Sequence, residues 1–231
     1  MANLIGVVGQ SGSGKSTSAR TLNPEETFII NTIGKPLPFP GAKKKYVKLH
    51  KEANGYVGNL YVGKDPNQIM NVLKIINTQM KHIKNVVIED ANYIMSCEAM
   101  DRSDEKSYDK FTQMAKHYYD ILMYAASMRE DIKVFVLSHI ENVGDVINPQ
   151  WKVKTLGKML DSTLNVDGCF TYMLYTELRE SDEGTMQRVF RTNTIDGSDT
   201  CKSPMGVFPE LYMPNDLQMV VNAINKFEEG E

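Results

Sequence analysis

The sequence predicts an α/β fold: a mainly parallel sheet flanked by helices, with a β-hairpin toward the carboxyl end. Three observations carry this. Short apolar runs ("NLIGVVG", "NVVIED", "KVFVLSH") alternate with stretches whose apolar residues recur every three or four positions. Those runs are apolar at consecutive positions, as strands covered on both faces require. Two later segments, "CFTYMLYTEL" and "MQRVFRTNT", alternate in hydropathy around the turn-forming "RESDEG". A chain of 231 residues, 42% hydrophobic, buries one sizeable core and is short for two such domains, so a single domain over 1–231 is expected.

Taken in order, "NLIGVVG" is a buried strand ending in glycine, and "KSTSARTL" has helix-forming content. "TFIINT" is the second strand. Residues 34–64, rich in Pro, Gly and Lys, read as an irregular, insertion-like basic excursion. Asp65 then caps a helix with Pro66 in its first turn, and Ile69, Val72, Leu73, Ile76, Met80 and Ile83 make one apolar face. "NVVIED" is a strand closed by two carboxylates. After the polar "RSDEKSYD", a second amphipathic helix presents Phe111, Met114, Ala115, Tyr118, Leu122 and Ala125 and leads into "KVFVLSH". "ENVGDVINPQWKVKTLG" reads as loop and "KMLDSTL" as a short helix. "NDLQMVVNAINKF" closes the chain as a helix capped by Asn215 or Asp216.

Composition excludes several classes. With 26 Lys+Arg against 29 Asp+Glu the net charge is -3, so no global basic field draws the chain onto nucleic acid, and such contact must come from local patches. Cys97, Cys169 and Cys201 form no CxxC pair, which argues against a disulfide framework and a cysteine zinc site and fits a reducing cytoplasm. No apolar stretch approaches the roughly 18 residues that span a bilayer, and no leader pattern is present, so no membrane association is expected.

"GVVGQSGSGKSTSAR" matches G-x-x-x-x-G-K-[ST] through Gly9, Gly14, Lys15 and Ser16. Glycines let the backbone N–H groups of Gln10, Ser11, Gly12 and Ser13 converge on phosphates. Lys15 reaches the β- and γ-phosphates, Ser16 holds Mg²⁺, Thr17 follows, and the next helix adds its positive end. "VVIED" has the form of the second nucleotide motif, with Glu89 on the metal side and Asp90 beside it as the water-polarising neighbour. Ser138, His139 and Glu141 end the next strand at the same sheet edge, where His139 can sense a γ-phosphate. His50, His82 and His117 show no ligand spacing. Lysines cluster twice: Lys43, Lys44, Lys45, Lys48 and Lys51 among tyrosines, and Lys152, Lys154 and Lys158 beside Trp151. Either group could track a phosphate backbone and stack bases.

The series "GQSGSGKST", "NVVIEDANYIM", "YDKFTQMAKHYYDILMYAASMREDIKVFVLSHIE", "KTLGKMLD" and "RTNTIDGSDTCKSPMG" resembles phage-encoded RecA-like ATPases of the Sak-type single-strand annealing group. The resemblance implies a RecA-like P-loop NTPase core that binds ATP and Mg²⁺ at subunit interfaces and assembles into rings or filaments. It implies binding of single-stranded DNA in annealing or homologous recombination, alongside a single-strand DNA-binding protein, in the cytoplasm of an infected bacterial host. Under it Lys15, Ser16, Glu89 and His139 keep the roles above. DNA-binding loops fall at about 97–109 and 142–157, the latter with Trp151, Lys152 and Lys154. Lys158, Arg191 and Lys202 reach for a neighbour's γ-phosphate. Two features depart from the family pattern: Asn31 and Thr32 stand where a catalytic glutamate is usual, and Glu89 replaces an aspartate. Two other readings stay open. A small-molecule kinase would want a lid with several arginines, whereas Arg20, Arg102, Arg129, Arg179, Arg188 and Arg191 are scattered. A non-hydrolysing nucleotide-binding annealing protein is the other.

Overall fold

In the computed structural model, which describes residues 1–107, 109–156 and 165–230, the first apolar run becomes β1, Asn3–Gly9, set inside the sheet. On one side it pairs in parallel with β7, Lys133–Asn142, and on the other with β9, Tyr172–Glu180. β7 pairs with β6, Asn85–Glu89, which pairs with β2, Thr27–Asn31, which pairs with β5, Leu60–Val62, all parallel. Beyond β9 the sheet turns antiparallel through β10, Met186–Arg191, and β11, Tyr212–Pro214. The chain therefore runs from β1 out to β2, returns through β6 to β7, and crosses β1 to reach β9. That change of direction opens a crevice at the carboxyl end of β1, the place where open α/β sheets take ligands.

Both faces of the sheet are covered, and alternation along each strand divides the side chains between them. Leu4 and Val8 of β1 and Val86 and Ile88 of β6 join one core with α2, Pro66–Gln79, and α4, Asp109–Ser127. Ile5, Val7 and Val87 face the other, under the last helix α5, Leu217–Glu229. The caps follow the chemistry of their residues. The Asp65 carboxylate accepts from Gln68 N with Pro66 in the first turn, and the Asp216 carboxylate accepts from Gln218 N and Met219 N. Ile69, Val72, Leu73 and Ile76 are buried as their spacing predicts. Phe111, in the first turn of α4, is 40% exposed instead. No helix among the described residues is long and apolar enough to cross a membrane.

Four local expectations change. "KSTSARTL" gives only a six-residue 3-10 helix, Ser16–Thr21. Ser18 Oγ bonds back to Lys15 O, and Asn23-Pro24 stops the chain, so there is little helix end to help a phosphate. The 34–64 excursion is not wholly irregular. It holds a one-turn helix α1, Ala42–Lys45, a two-stranded hairpin of β3, His50–Glu52, and β4, Gly55–Val57, and the edge strand β5. The first residues of the DNA-binding loop expected at about 97–109, Cys97 to Asp101, belong instead to α3, Asn92–Asp101. The stretch after His139 is partly β8, Trp151–Val153, folded antiparallel onto the end of β7. "KMLDSTL" lies outside the described residues, and so does Lys158.

Candidate nucleotide site

The phosphate-loop residues stand at the crevice because β1 stops at Gly9. The loop is braced to β9: Thr176 Oγ1 donates to Val8 O at 3.1 Å and contacts Ser13 Oγ. A Cβ at Gly9 would lie 2.2 Å from Thr176 Oγ1, so this position admits only glycine. Gly14, at φ 112, turns the backbone past Arg188. Ser11, Gly12, Gly14, Lys15, Ser16 and Thr17 line a cleft of about 310 Å³ together with Glu89, Asp90 and His139. The three strand-end motifs, up to 124 residues apart from Lys15 to His139, converge.

The chemistry of the cleft is tightly coupled. Lys15 Nζ donates to Gly9 O at 2.9 Å and Gln10 O at 2.8 Å, and lies 3.5 Å from His139 Nδ1. Burial lowers the ammonium to about 8 against the pull of Asp90 and Glu89. Ser16 Oγ donates to Glu89 Oε1, so hydroxyl and carboxylate already share one spot. Burial pushes Glu89 up to about 7, with the Ser16 hydrogen bond and Lys15 opposing. Asp90 behaves oppositely: burial raises it, but the contacts with His139 and Lys35 outweigh that and hold it below the ordinary carboxylate range. His139 Nε2 faces Asp90 Oδ1 at 3.5 Å. Lys15 can only donate, so Nδ1 is the acceptor and Nε2 carries the proton toward Asp90.

Asp90 sits at φ 54, a left-handed conformation that aspartate adopts more readily than most residues. Thr32 holds it there, its hydroxyl donating to Glu89 O at 2.9 Å and Asp90 O at 3.0 Å. Asn31 has a different task. Its amide donates to Lys35 O at 2.7 Å and its oxygen accepts from Gly34 N at 2.9 Å. Asn31 and Thr32 thus build the β2 loop that brings Lys35 Nζ to 3.3 Å from Asp90 Oδ2.

Lys35 and Arg188 are cleft-lining positions that the sequence reading missed. Both line the cleft, and among the described residues Arg188 has no carboxylate partner. The only sequence signal for Lys35 is an Asn-x-x-Gly-Lys turn directly after a strand, whereas Arg188 arrives through the β9–β10 pairing, which leaves no local mark.

Other expected sites move. Arg191, expected to reach a neighbour, is buried with its guanidinium held within its own chain by Glu177 at 2.5 Å and by Asp199. Lys202 Nζ donates to Asp167 O at 3.0 Å, again within the chain. Trp151 is half-buried and laced into the sheet, its N–H donating to Ser198 O at 2.8 Å and its carbonyl accepting from Tyr175. Lys152 lines a separate polar pocket with Asp167 and Asp199, and Lys154 is exposed beside it. Between α3 and α4, Arg102 is ion-paired to Glu98 and Glu105, and Lys110 donates to Arg102 O and Glu105 O, so that link is pinned from within. Lys43, Lys44 and Lys45 are all exposed on α1.

Oxygen donors suit a hard cation here. Among the described residues no group of three or more His, Cys, Asp or Glu converges as a metal site, so a cation in the cleft would rely on Ser16, Glu89 and the phosphates themselves. That is the way Mg²⁺ is usually held in phosphate sites, with several waters retained. No family model matches this chain, and no curated protein matches it.

Proposed function

We propose that this chain is a RecA-type P-loop ATPase that couples Mg·ATP to the grip of single-stranded DNA in annealing or recombination. The observation that carries the nucleotide half is the convergence of Lys15, Ser16, Glu89, Asp90 and His139 on one cleft at the carboxyl end of β1. Gly9 lets the loop pack against Thr176 and Gly14 lets it turn past Arg188, and a loop so turned can present successive N–H groups to phosphates, which supports a nucleotide reading. Ser16 and Glu89 would hold Mg²⁺, which when bound neutralises charge on the transferred phosphoryl group.

Within the chain the roles divide by charge state. Lys15 leaves the loop carbonyls to pair with phosphate oxygens. Asp90, kept ionised, accepts a proton from the attacking water, and His139 between Asp90 and Lys15 registers which partner each has. Asp90 in this role compensates for the absence of a carboxylate at Asn31. The DNA half rests on the resemblance and on the exposed lysines of the excursion, and assembly into rings or filaments belongs to the same proposal.

The test is ATP turnover with and without single-stranded DNA. DNA-stimulated hydrolysis that disappears in Lys15→Ala is the expected result. Phosphate transfer to a metabolite would favour a kinase, and binding without turnover would mean that Asp90 is no base.

A further inference from the structure

The excursion that carries Lys35 also builds a second cavity, of about 560 Å³, on the far side of the Lys35-Pro36-Leu37 segment from the nucleotide cleft. Its floor is apolar: Leu37, Val47, Leu60 and Val62, with Val47 52% and Val62 41% exposed. Its rim is cationic: Lys35, Lys43 and Lys48 line it, and no Asp or Glu does. Among the described residues neither Lys43 nor Lys48 has a carboxylate partner. Residues 34–64 hold seven lysines against one acid, Glu52, in a chain whose net charge is -3.

The cavity is built rather than incidental. Asn59 clamps it, its oxygen accepting from Val47 N at 2.8 Å while its amide donates to Pro24 O at 2.8 Å and Lys45 O at 3.1 Å. Leu49 N donates to Leu60 O at 2.8 Å, which covers the open edge of β5. Gly58, at φ 100, leads into that strand, and a Cβ there would lie 2.5 Å from Lys48 O, so the close approach needs glycine. A positive rim over an apolar floor suits a ligand that carries repeated anions on one side and flat apolar faces on the other. A single strand of nucleic acid has that form, whereas a duplex turns its bases inward.

We infer that the groove between the β2 loop, α1 and β5 is the single-stranded DNA site, with Lys43 and Lys48 on backbone phosphates and bases against Val47 and Val62. This rests on the reading proposed above and sites its DNA contact in the excursion rather than in the Trp151 loop that the resemblance implies. Lys35 touches both cavities, so a nucleotide that takes Lys35 from Asp90 alters the rim of the DNA groove directly.

The test is anisotropy of a fluorescein-labelled oligothymidylate at low salt, with affinity for a fluorescent Mg·ATP analogue measured on the same samples. The double variant K43E/K48E should bind the oligonucleotide at least about tenfold more weakly and lose about 1.4 from its salt slope, near 0.7 per phosphate contact. Its affinity for the analogue should stay within about twofold, a change of no more than ~0.4 kcal/mol. Lys154→Glu in the Trp151 loop should bind DNA as the wild type does. Unchanged DNA binding in K43E/K48E, or a loss confined to Lys154→Glu, overturns the siting alone. Wild-type protein that binds Mg·ATP but no oligonucleotide overturns the DNA reading itself, and binding of inorganic phosphate or ATP in the groove in its place assigns it to a small anion instead.

Discussion

Lys15 and Glu89 place the nucleotide site in a narrow pH range. Phosphates favour the charged form of Lys15, which burial has lowered to about 8, so affinity for Mg·ATP should fall as pH rises through about 8. A cation favours ionised Glu89, which burial has raised to about 7, so affinity should also fall as pH drops below about 7. Titration of affinity against pH should therefore give a maximum between the two, and a flat profile from pH 6 to 9 would refute the coupling. Asp90 calls for a different outcome. Its replacement in Asp90→Asn keeps the size but removes the base and one of the two acceptor oxygens that face His139 and Lys35, so turnover should drop by about a hundredfold or more with nucleotide affinity largely kept. An equal drop in affinity would make Asp90 a binding group. At this scale the motif residues were legible because their spacing is local. Lys35 and Arg188 were not, since one depends on a loop that Asn31 ties and the other on a strand paired across β9.

Among the elements, β9 and β10 carry the largest correction. Arg191 stands at the end of β10 between Glu177 and Asp199, and all three belong to the packing of this chain. Arg191→Ala leaves the buried Asp199 carboxylate without its partner and should destabilise the fold by about 3 kcal/mol, read as a lower urea midpoint. A residue that served only a neighbour's nucleotide would leave that midpoint where it was. Continuous apolar runs made β1, β6 and β7 readable, because strands buried on both faces have no polar side to confuse the pattern. β5, β8 and β11 are three residues each, too short for any period, and they form only because longer strands offer them an edge. The 3-10 turn after the phosphate loop failed for the opposite reason. Its composition allows a helix, but Ser18 and Pro24 withdraw the hydrogen bonds a longer one needs.

For the whole molecule, the parallel sheet sets β6 and β7 beside β1, so three strand ends present loop, carboxylates and histidine to one cleft. The same sheet carries the lysine-rich excursion at its β5 edge, one short segment away from that cleft. Alternation of apolar runs and amphipathic helices was enough to foresee this architecture, but not that the excursion supplies a strand and a groove. On the proposed reading, a nucleotide that binds unequally when Lys35 is on and off Asp90 can shift DNA affinity by that difference and no more. The central claim is that the cleft binds a nucleoside triphosphate through Lys15, and titration calorimetry of ATP with Mg²⁺ into wild type and Lys15→Ala tests it most directly. Saturable binding at one site per chain, weakened at least about tenfold, or ~1.4 kcal/mol, in Lys15→Ala, is the predicted result. Equal affinity in the two proteins, or no heat of binding in the wild type at millimolar ATP, would contradict it.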